Sequence, residues 1–409
     1  MATFVLGGTQ SDFARNLGRD GRELGDLVGD LVDGALADAA LDPAEIAAIH
    51  VGNAFGELFT GQGHLGAMPA TVRPALWGVP AARHEAACAS GSIAVLAAMA
   101  ELEAGRCDVA LVIGVEQERN VPPEQAAQYL GAAAWVGHEG AGARYLWPHM
   151  FSRLGDAYAE RWGLDRRHLV AISRKNLGNA RRNPRAQTRG WTIGDATFAE
   201  SDATNPVIEG RLRRADCAQV TDGGAAIVLA SARYTEAWAR ARDRAPARTA
   251  QLLGWGHRTA GLPLEAKLAR AAGADGGLLF PHVAAAFADA NRRAGTALPA
   301  LDGIEVHDCF TTTEYMAIDH LGLTPPGQSW QAIEDGRTAP GGALPINPSG
   351  GLIGGGHPVG ATGVRMVLDA ALQVTGRAGD YQVAGARTFA TLNLGGSATT
   401  VVSFIVGAR

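Results

Sequence analysis

One stretch decides how this chain is organised: Glu85-Ala86-Ala87-Cys88-Ala89-Ser90-Gly91-Ser92-Ile93-Ala94-Val95. It is a turn of small residues that carries one cysteine and runs into an apolar sequence, which predicts a buried helix over residues 89–102. Because free N–H groups at the start of a helix favour a thiolate, we expect the pKa of Cys88 to be lowered. Cys88 is therefore a candidate nucleophile, although a lone cysteine in apolar surroundings more often only packs as a small hydrophobe.

The composition is that of an ordinary globular protein. The chain has 409 residues, 47% of them hydrophobic and 19% charged, which allows two or three folded units. A net charge of -5 gives no general attraction to nucleic acid or anionic membranes. The four cysteines are far apart and form no CxxC pair, so neither a disulfide framework nor a zinc site is indicated. Without a signal peptide or an apolar run of membrane-spanning length, we expect a cytoplasmic protein.

The first part of the chain alternates segments typical of strands and helices, which predicts a parallel sheet covered by helices. We predict strands over residues 3–6, 49–53 and 109–114 and helices over residues 24–40 and 89–102.

Residues 117–216 differ in character because they are richer in Arg, Asn, Trp and Pro. We interpret them as an inserted, largely helical loop domain. Its basic clusters at residues 166–168, 174–176 and 181–185 are candidates to meet the phosphates of a nucleotide-like ligand, although a solvated helix face is the more common use of such arginines.

The sheet pattern then resumes and a second round follows. We predict strands over residues 222–230, 250–255, 303–306, 383–388 and 398–405, helices over residues 280–293 and 361–375, and another helix after Phe310. The α/β chain thus divides into an N-terminal half (1–116 and 217–240), the loop domain (117–216) and a C-terminal half (241–409). The glycine-led run at 395–402 echoes the run at 223–228, which is consistent with a duplicated half.

A second chemical motif is Glu305-Val306-His307-Asp308-Cys309-Phe310, an apolar strand that ends in reactive side chains. Ligands bind at strand ends in open α/β sheets, and His307 and Cys309 project to the same side of an extended strand. They therefore offer a hydrogen-bond donor beside an acid or base. The alternative is a core cysteine beside a surface histidine.

Two glycine-rich stretches complete the set of motifs. His357 stands between glycines and a proline ahead of a predicted helix, where the backbone permits close approach of a substrate and the imidazole can transfer a proton. Residues 393–396 place glycine N–H groups where they can face an oxyanion. Neither GK[ST] nor a GxGxxG after a strand is present, so the glycines do not indicate a phosphate loop.

Together these four stretches resemble the thiolase superfamily along the whole chain, and within it the sterol-carrier-protein-X type and its bacterial acetyl-CoA acetyltransferase-like relatives. Cys88 falls on the nucleophile, and Gly356-His357-Pro358 falls on the GHP block. His307-Asp308-Cys309-Phe310 falls on the HDCF block that marks this branch. Most thiolases carry a second catalytic cysteine where this chain has Asn393. In the HDCF branch that cysteine comes from the HDCF block, here Cys309.

The resemblance implies a thiolase fold, in which two βαβαβαββ halves form five αβαβα layers and carry an inserted loop domain. It also implies an acyl-CoA C-acyltransferase, a 3-oxoacyl-CoA thiolase or acetyl-CoA acetyltransferase that works through an acyl group on Cys88. His357 would accept the thiol proton and Cys309 would protonate the enolate. His307 and His357 would face the enolate oxygen, and the N–H groups of Cys88 and Gly395 would face the acyl oxyanion.

Coenzyme A is the co-substrate that this resemblance implies, with no permanently bound cofactor and no metal. It also implies a homodimer or tetramer that acts in lipid metabolism such as β-oxidation. One alternative is a retro-aldolase of the same fold, a lyase on side-chain acyl-CoA esters that works with an OB-fold partner. Another is a non-catalytic CoA-binding subunit. The sequence leaves the acyl chain and the residues that contact the CoA phosphates unassigned.

Overall fold

A mixed sheet runs through the whole molecule. The computed structural model describes residues 2–241, 249–272 and 277–408. The strands in these residues are β1 Thr3–Gln10, β2 Ala48–Gly52, β3 Ala81–His84, β4 Val109–Glu116, β5 Val207–Glu209, β6 Leu212–Arg213, β7 Gly223–Ser231, β8 Ala250–Thr259, β9 Gly303–Val306, β10 Thr388–Gly395 and β11 Thr400–Ala408.

Helices cover the faces of this sheet. They are α1 Leu24–Ala39, α2 Gly56–Thr60, α3 Met68–Val72, α4 Ser90–Glu103, α5 Pro123–Gly131, α6 Leu146–Trp162, α7 Arg166–Ala180, α8 Asp195–Phe198, α9 Ala232–Ala241, α10 Leu264–Ala272, α11 Pro281–Ala294, α12 Thr311–His320, α13 Ser329–Glu334, α14 Gly351–Gly355 and α15 Thr362–Val374.

The strand order reveals two halves with one topology. Across the whole sheet the order is β3-β2-β4-β7-β1-β8-β11-β10-β9. The first half ends at β1 and the second begins at β8, and these two strands join the halves by antiparallel pairing. In each half two parallel strands are followed by two antiparallel ones, β2-β4-β7-β1 and β9-β10-β11-β8. The counterpart of β3 is reduced to a single parallel bridge between Ile304 and Ile346. The two halves therefore resemble each other in the order and direction of their strands.

The glycine echo in the sequence does not mark equivalent positions. Residues 223–228 lie wholly within β7, whereas residues 395–402 include the turn from β10 to β11. Gly396 in that turn has φ +60°, a left-handed conformation that a strand interior does not use. The strand order agrees with the duplication that this echo indicated, although the two runs occupy different places in their strands.

Five layers, αβαβα, arise because α4 and α15 lie together between the two halves of the sheet. Apolar side chains of α4, α15, β4, β7, β10 and β11 share one core there. On the outer faces, α1 packs on the first half, and α11 and α12 pack on the second. Strand β4 is buried at every position, which agrees with its continuous apolar sequence.

One predicted strand is misplaced. Residues 383–388 were expected to be extended, but a turn occupies residues 383–387, in which Ala386 N–H donates to Val383 O at 3.3 Å. Gly385 adopts φ +72°, which ends any extended run. The strand begins at Thr388 and continues to Gly395, so Asn393 lies inside β10 and not after a strand.

The region between β4 and β7 contains α5 to α8 and the small hairpin of β5 and β6. The range 241–409 expected for the C-terminal half includes residues 242–248, 273–276 and 409, which lie outside the described residues. Within the described ranges, none of the helices combines the length and the apolarity that crossing a lipid bilayer requires.

Candidate active site

Cys88 stands on a tight turn at the amino end of α4. The preceding residue, Ala87, has φ +51°, an uncommon conformation for a residue with a side chain. The turn is held by the Ala87 N–H, which donates to Glu85 Oε1 at 2.6 Å, and by the Ser90 hydroxyl, which donates to Ala87 O at 2.6 Å. This sharp corner presents the thiol of Cys88 ahead of a buried helix, as the small residues of the sequence allow.

Two glycines let the helix that follows His357 approach the helix that follows Cys88. A Cβ on Gly363 in α15 would lie 2.2 Å from the backbone nitrogen of Ser92 in α4. A Cβ on Gly91 would lie 2.7 Å from Gly360 O. Larger residues at either position would force the helices apart. The amino ends of α4 and α15 therefore meet, and the residues before them meet too.

The structure brings four of the five predicted site residues into one cluster. The Sγ of Cys88 and one ring nitrogen each of His307 and His357 lie within 4.8 Å of one another. The two imidazoles meet edge to face with centroids 5.2 Å apart. Cys309 shares a cavity of about 340 Å³ with Cys88 and His357. This cavity, at the ends of strands from both halves, is the candidate active site.

Gly395, the fifth predicted residue, ends β10 beside the nucleophile turn. A Cβ there would lie 2.2 Å from Ala86 O, so only glycine fits. The N–H of the next residue, Gly396, lies against the sulfur of Cys88, where it favours the thiolate form. The sequence analysis assigned a role to Gly395 alone, although Gly396 belongs to the same glycine pair.

The orientation of His307 is set by a buried network. The Ser92 hydroxyl donates to Asn393 Oδ1 at 2.8 Å, and this directs the Asn393 amide group to His307 Nδ1 at 3.1 Å. Since Nδ1 accepts this bond, the ring proton resides on Nε2. His307 is 1% exposed, and its Nε2 has no partner in the part of the chain that the structure describes. A buried donor without an acceptor is free for a substrate oxygen.

His357 has the opposite tautomer. The Thr362 hydroxyl donates to Pro358 O at 3.2 Å and lies 2.7 Å from His357 Nδ1. The hydroxyl therefore accepts the Nδ1 proton, which leaves a lone pair on Nε2. One histidine thus offers a hydrogen-bond donor and the other offers a base.

Burial keeps every group of the cluster neutral. It lowers the pKa of His357 to about 3 and holds the pKa of His307 well below its ordinary value, with help from neighbouring positive charge. Burial raises the pKa of Cys88 to about 12, and Glu118 adds to this effect, although part of the Cys88 surface faces the cavity. The expectation of a lowered Cys88 pKa is therefore wrong, because desolvation outweighs the helix terminus and the Gly396 N–H.

Buried charged groups next to the cluster fix the backbone on which its residues lie. Asp308 accepts from Leu352 N–H at 2.6 Å and from Asn176 Nδ2 at 2.7 Å, so it ties the HDCF block to α14 and α7. Buried Arg365 pairs with Glu305 at 3.0 Å and with Asp369 at 2.7 Å. Asp308 is thus a structural residue between two reactive ones.

In the loop domain, the basic clusters at residues 166–168 and 174–176 are paired with carboxylates. Arg166 contacts Asp216 at 2.5 Å, and Arg174 lies 3.0 Å from Asp195. The charges of these two arginines are therefore already paired, which disfavours them as a phosphate-binding site. Among the described residues, the donor atoms of Cys88, His307 and His357 have the spacing of metal ligands, but the same atoms are those suited to proton transfer.

Comparison with known proteins points to one family. The thiolase N-terminal domain family model matches residues 14–193, and a second model, described as thiolase C-terminal domain-like, matches residues 270–408. The chain is 30% identical over 385 residues to an acetyl-CoA acetyltransferase of Methanothermobacter thermautotrophicus, with 93% of each chain covered. It is 28% identical over 419 residues to sterol carrier protein 2 of Homo sapiens, which covers 99% of this chain and 72% of that protein.

Solved structures share the fold. The structure of an Ltp2-ChsH2(DUF35) aldolase superposes with a TM-score of 0.76 at 21% identity and covers 100% of this chain and 98% of that chain. An acetyl-CoA acetyltransferase from Syntrophomonas wolfei gives a TM-score of 0.71 at 19% identity, with 100% of this chain and 99% of that chain covered. At these identities the likeness concerns the fold, which both a transferase and an aldolase use.

Proposed function

The chain belongs to the thiolase superfamily, and from this premise we propose that it is an acyl-CoA C-acyltransferase that works through an acyl group on Cys88. One observation carries the proposal: the Cys88 sulfur and ring nitrogens of His307 and His357 lie within 4.8 Å of one another, in a cavity that Cys309 also lines. A nucleophile, a base, a donor and a second thiol are the groups that reversible thiolysis of a 3-oxoacyl-CoA needs.

In the first step His357 Nε2 takes the proton of the Cys88 thiol, and the sulfur forms a bond to the 3-oxo carbon. Burial disfavours a charge on either group, so we expect the proton to move as the sulfur bonds to the substrate and the negative charge passes to the 3-oxo oxygen. The N–H groups of Gly395, Gly396 and Cys88 are candidates to stabilise the oxyanion that forms. Loss of one such donor costs about 3 kcal/mol of barrier in other enzymes.

In the second step the bond between the 2- and 3-carbons breaks, which leaves the shortened acyl group on Cys88, and the electrons of the bond form the enolate of acetyl-CoA (or propionyl-CoA). The Nε2 proton of His307 faces the enolate oxygen, and the Cys309 thiol protonates the carbon. Cys309, now a thiolate, recovers a proton from the thiol of incoming coenzyme A, and the CoA sulfur takes the acyl group from Cys88. The sulfur of Cys88 leaves as a thiolate and recovers its proton from His357. Both cysteines and His357 thus return to their starting protonation states, and the net transfer is of the CoA thiol proton to the carbon of the released acetyl-CoA.

The test is acylation followed by mass spectrometry of the intact protein. We expect a 3-oxoacyl-CoA to add one acyl group to the wild type on Cys88, and expect none on Cys88→Ala. For Cys309→Ala we expect acylation from a simple acyl-CoA but no carbon–carbon chemistry. An acyl group on Cys88→Ala would contradict the assignment.

A measurement of the need for free coenzyme A separates the alternatives. Thiolysis consumes one CoA for each bond cleaved, a retro-aldolase needs none, and a CoA-binding subunit consumes no ester. The aldolase among the structural neighbours carries a DUF35 partner in its name, so the assay is repeated with any co-purifying protein. Two thiols in one cavity favour thiolysis, because a retro-aldol cleavage has no acyl group to transfer.

A further inference from the structure

Glu118 is a buried acid that the proposed reaction does not use. It is 1% exposed and lines the same cavity as Cys88 and His357. It also lies close enough to the nucleophile to raise the pKa of Cys88. In the sequence it lies between two other polar residues, Gln117 and Arg119.

The rest of the cavity is mostly apolar. Its walls include Phe55, Leu130, Trp147, Phe151 and Phe310. Such walls fit a bulky acyl group, and a carboxyl group among them requires a polar partner.

The burial of the Glu118 carboxyl favours its neutral form. Its Oε1 accepts the Val359 N–H at 2.9 Å, and the Thr221 N–H also lies against the carboxyl. Burial raises the pKa of Glu118 well above its ordinary value, and the charges of two more acids, Glu116 and Asp222, raise it further. Arg214 lines the same cavity, but no ion pair joins Glu118 to a cation within the described residues.

A neutral carboxyl has one O–H to donate, and a buried O–H group requires a hydrogen-bond acceptor. The Val359 and Thr221 N–H groups both donate to the Glu118 carboxyl, so neither accepts the proton that this carboxyl carries in its neutral form. Buried donors of this kind are paired in native complexes, so an acceptor is expected from the ligand.

We propose that Glu118 is a specificity-determining residue that donates a hydrogen bond to an oxygen on the acyl chain held at Cys88. The substrates are then acyl-CoA esters whose bulky apolar chain carries a hydroxyl or a second oxo group near the reacting carbon. This inference rests on the proposed function. It restricts the substrate class beyond what the cysteine and histidine cluster requires.

The test compares esters that differ by one oxygen. The probes are 3-oxodecanoyl-CoA and its isomers that carry one hydroxyl on each of the three carbons beyond the 3-oxo group. For the wild type we expect kcat/KM for at least one hydroxylated isomer to exceed that for the plain ester about tenfold, which is the effect of one buried hydrogen bond.

Two variants distinguish recognition from support of the Val359 loop. Glu118→Leu removes the donor, and we expect it to bring the ratio of the two kcat/KM values to about one. Glu118→Gln keeps a neutral donor and an acceptor for the Val359 N–H, and we expect it to preserve the ratio. Equal losses on both esters in Glu118→Leu would show that the residue only supports the loop, which overturns the inference.

The same experiment separates this inference from the proposed function. Turnover with Cys88 acylation but without preference for any hydroxylated ester defeats the role of Glu118 and leaves the acyltransferase intact. An absence of Cys88 acylation with every ester defeats both. Unfolding midpoints of the two variants, measured beside the wild type, identify any loss of activity that comes from misfolding.

Discussion

The amide nitrogen of Asn393 lies 3.1 Å from Nδ1 of His307, and this contact fixes which ring nitrogen of the histidine carries the proton. Asn393 occupies the position where most thiolases, by the resemblance, have their second catalytic cysteine. In this chain Asn393 orients His307, and the same resemblance assigns the second thiol to Cys309.

Asn393→Asp tests this role. A carboxylate accepts a proton from Nδ1 and thereby turns Nε2 of His307 from a donor into an acceptor. We expect kcat for thiolysis to fall about 100-fold, the usual cost of losing one oxyanion donor. Acylation of Cys88 by a simple acyl-CoA needs no enolate and should persist. Equal loss of both reactions would show that His307 does not act on the enolate.

Thr362→Val tests the tautomer of His357. The valine cannot accept the Nδ1 proton, so the lone pair on Nε2 is no longer enforced and we expect the acylation rate to fall at least about tenfold. Thr362→Ser keeps the hydroxyl and is the matched control. Single-turnover acylation followed by mass spectrometry measures the rate, and identical rates for valine and serine variants would refute the role.

Reactivity of Cys88 toward iodoacetamide should depend on pH in a direction set by burial. Because the pKa of Cys88 is raised to about 12, the thiolate fraction at neutral pH is smaller than in an unstructured peptide. We expect slow alkylation of Cys88 at pH 7 that accelerates continuously to pH 10. Peptide mapping identifies the modified residue. A rate that is already maximal at pH 7 would show that the thiolate is preformed.

Arg365→Met should destabilise the protein strongly. It leaves Glu305 and Asp369 buried without their cation, for which we expect a loss of about 3–5 kcal/mol in the free energy of unfolding by urea titration. Arg377→Met is the control, because its guanidinium is 50% exposed and pairs with Asp38 at the surface. The control should lose at most about 1 kcal/mol. Similar losses in both variants would contradict the importance of the buried network.

The edge of the sheet offers a place for a second subunit. Strand β3 is the outermost strand and pairs only with β2 in the described sheet order. Ile49 N–H donates to Pro80 O and Asn53 N–H donates to His84 O, so by alternation the N–H groups of residues 81 and 83 face outward. We expect a dimer through this edge, since a free edge strand is a template for pairing.

Ala81→Pro removes one outward N–H and should shift sedimentation toward the monomer at micromolar concentration. Ala81→Ser keeps the N–H and should sediment as the wild type does. If the wild type itself is a stable monomer at these concentrations, the expectation of a dimer is wrong.

Several features could be read from the sequence because they depend on local order. Apolar runs such as Val109–Glu116 predicted buried strands, and the turn before the apolar helix identified Cys88. The failure at residues 383–388 has an equally local cause. Valine and alanine there favour a strand, but Gly385 turns the chain and the strand starts at Thr388.

What the sequence by itself determined was the chemistry available and its order: a cysteine before a helix, a histidine and cysteine after a strand, and a histidine between glycines. Only the tertiary structure decided how these groups behave. The contact of α4 with α15 at Gly91 and Gly363 places Cys88 beside His357, and no local pattern specifies that distance. Burial by residues far along the chain reversed the expected shift in the Cys88 pKa, because desolvation depends on everything that surrounds a group, and the same packing placed Glu118 in the cavity wall.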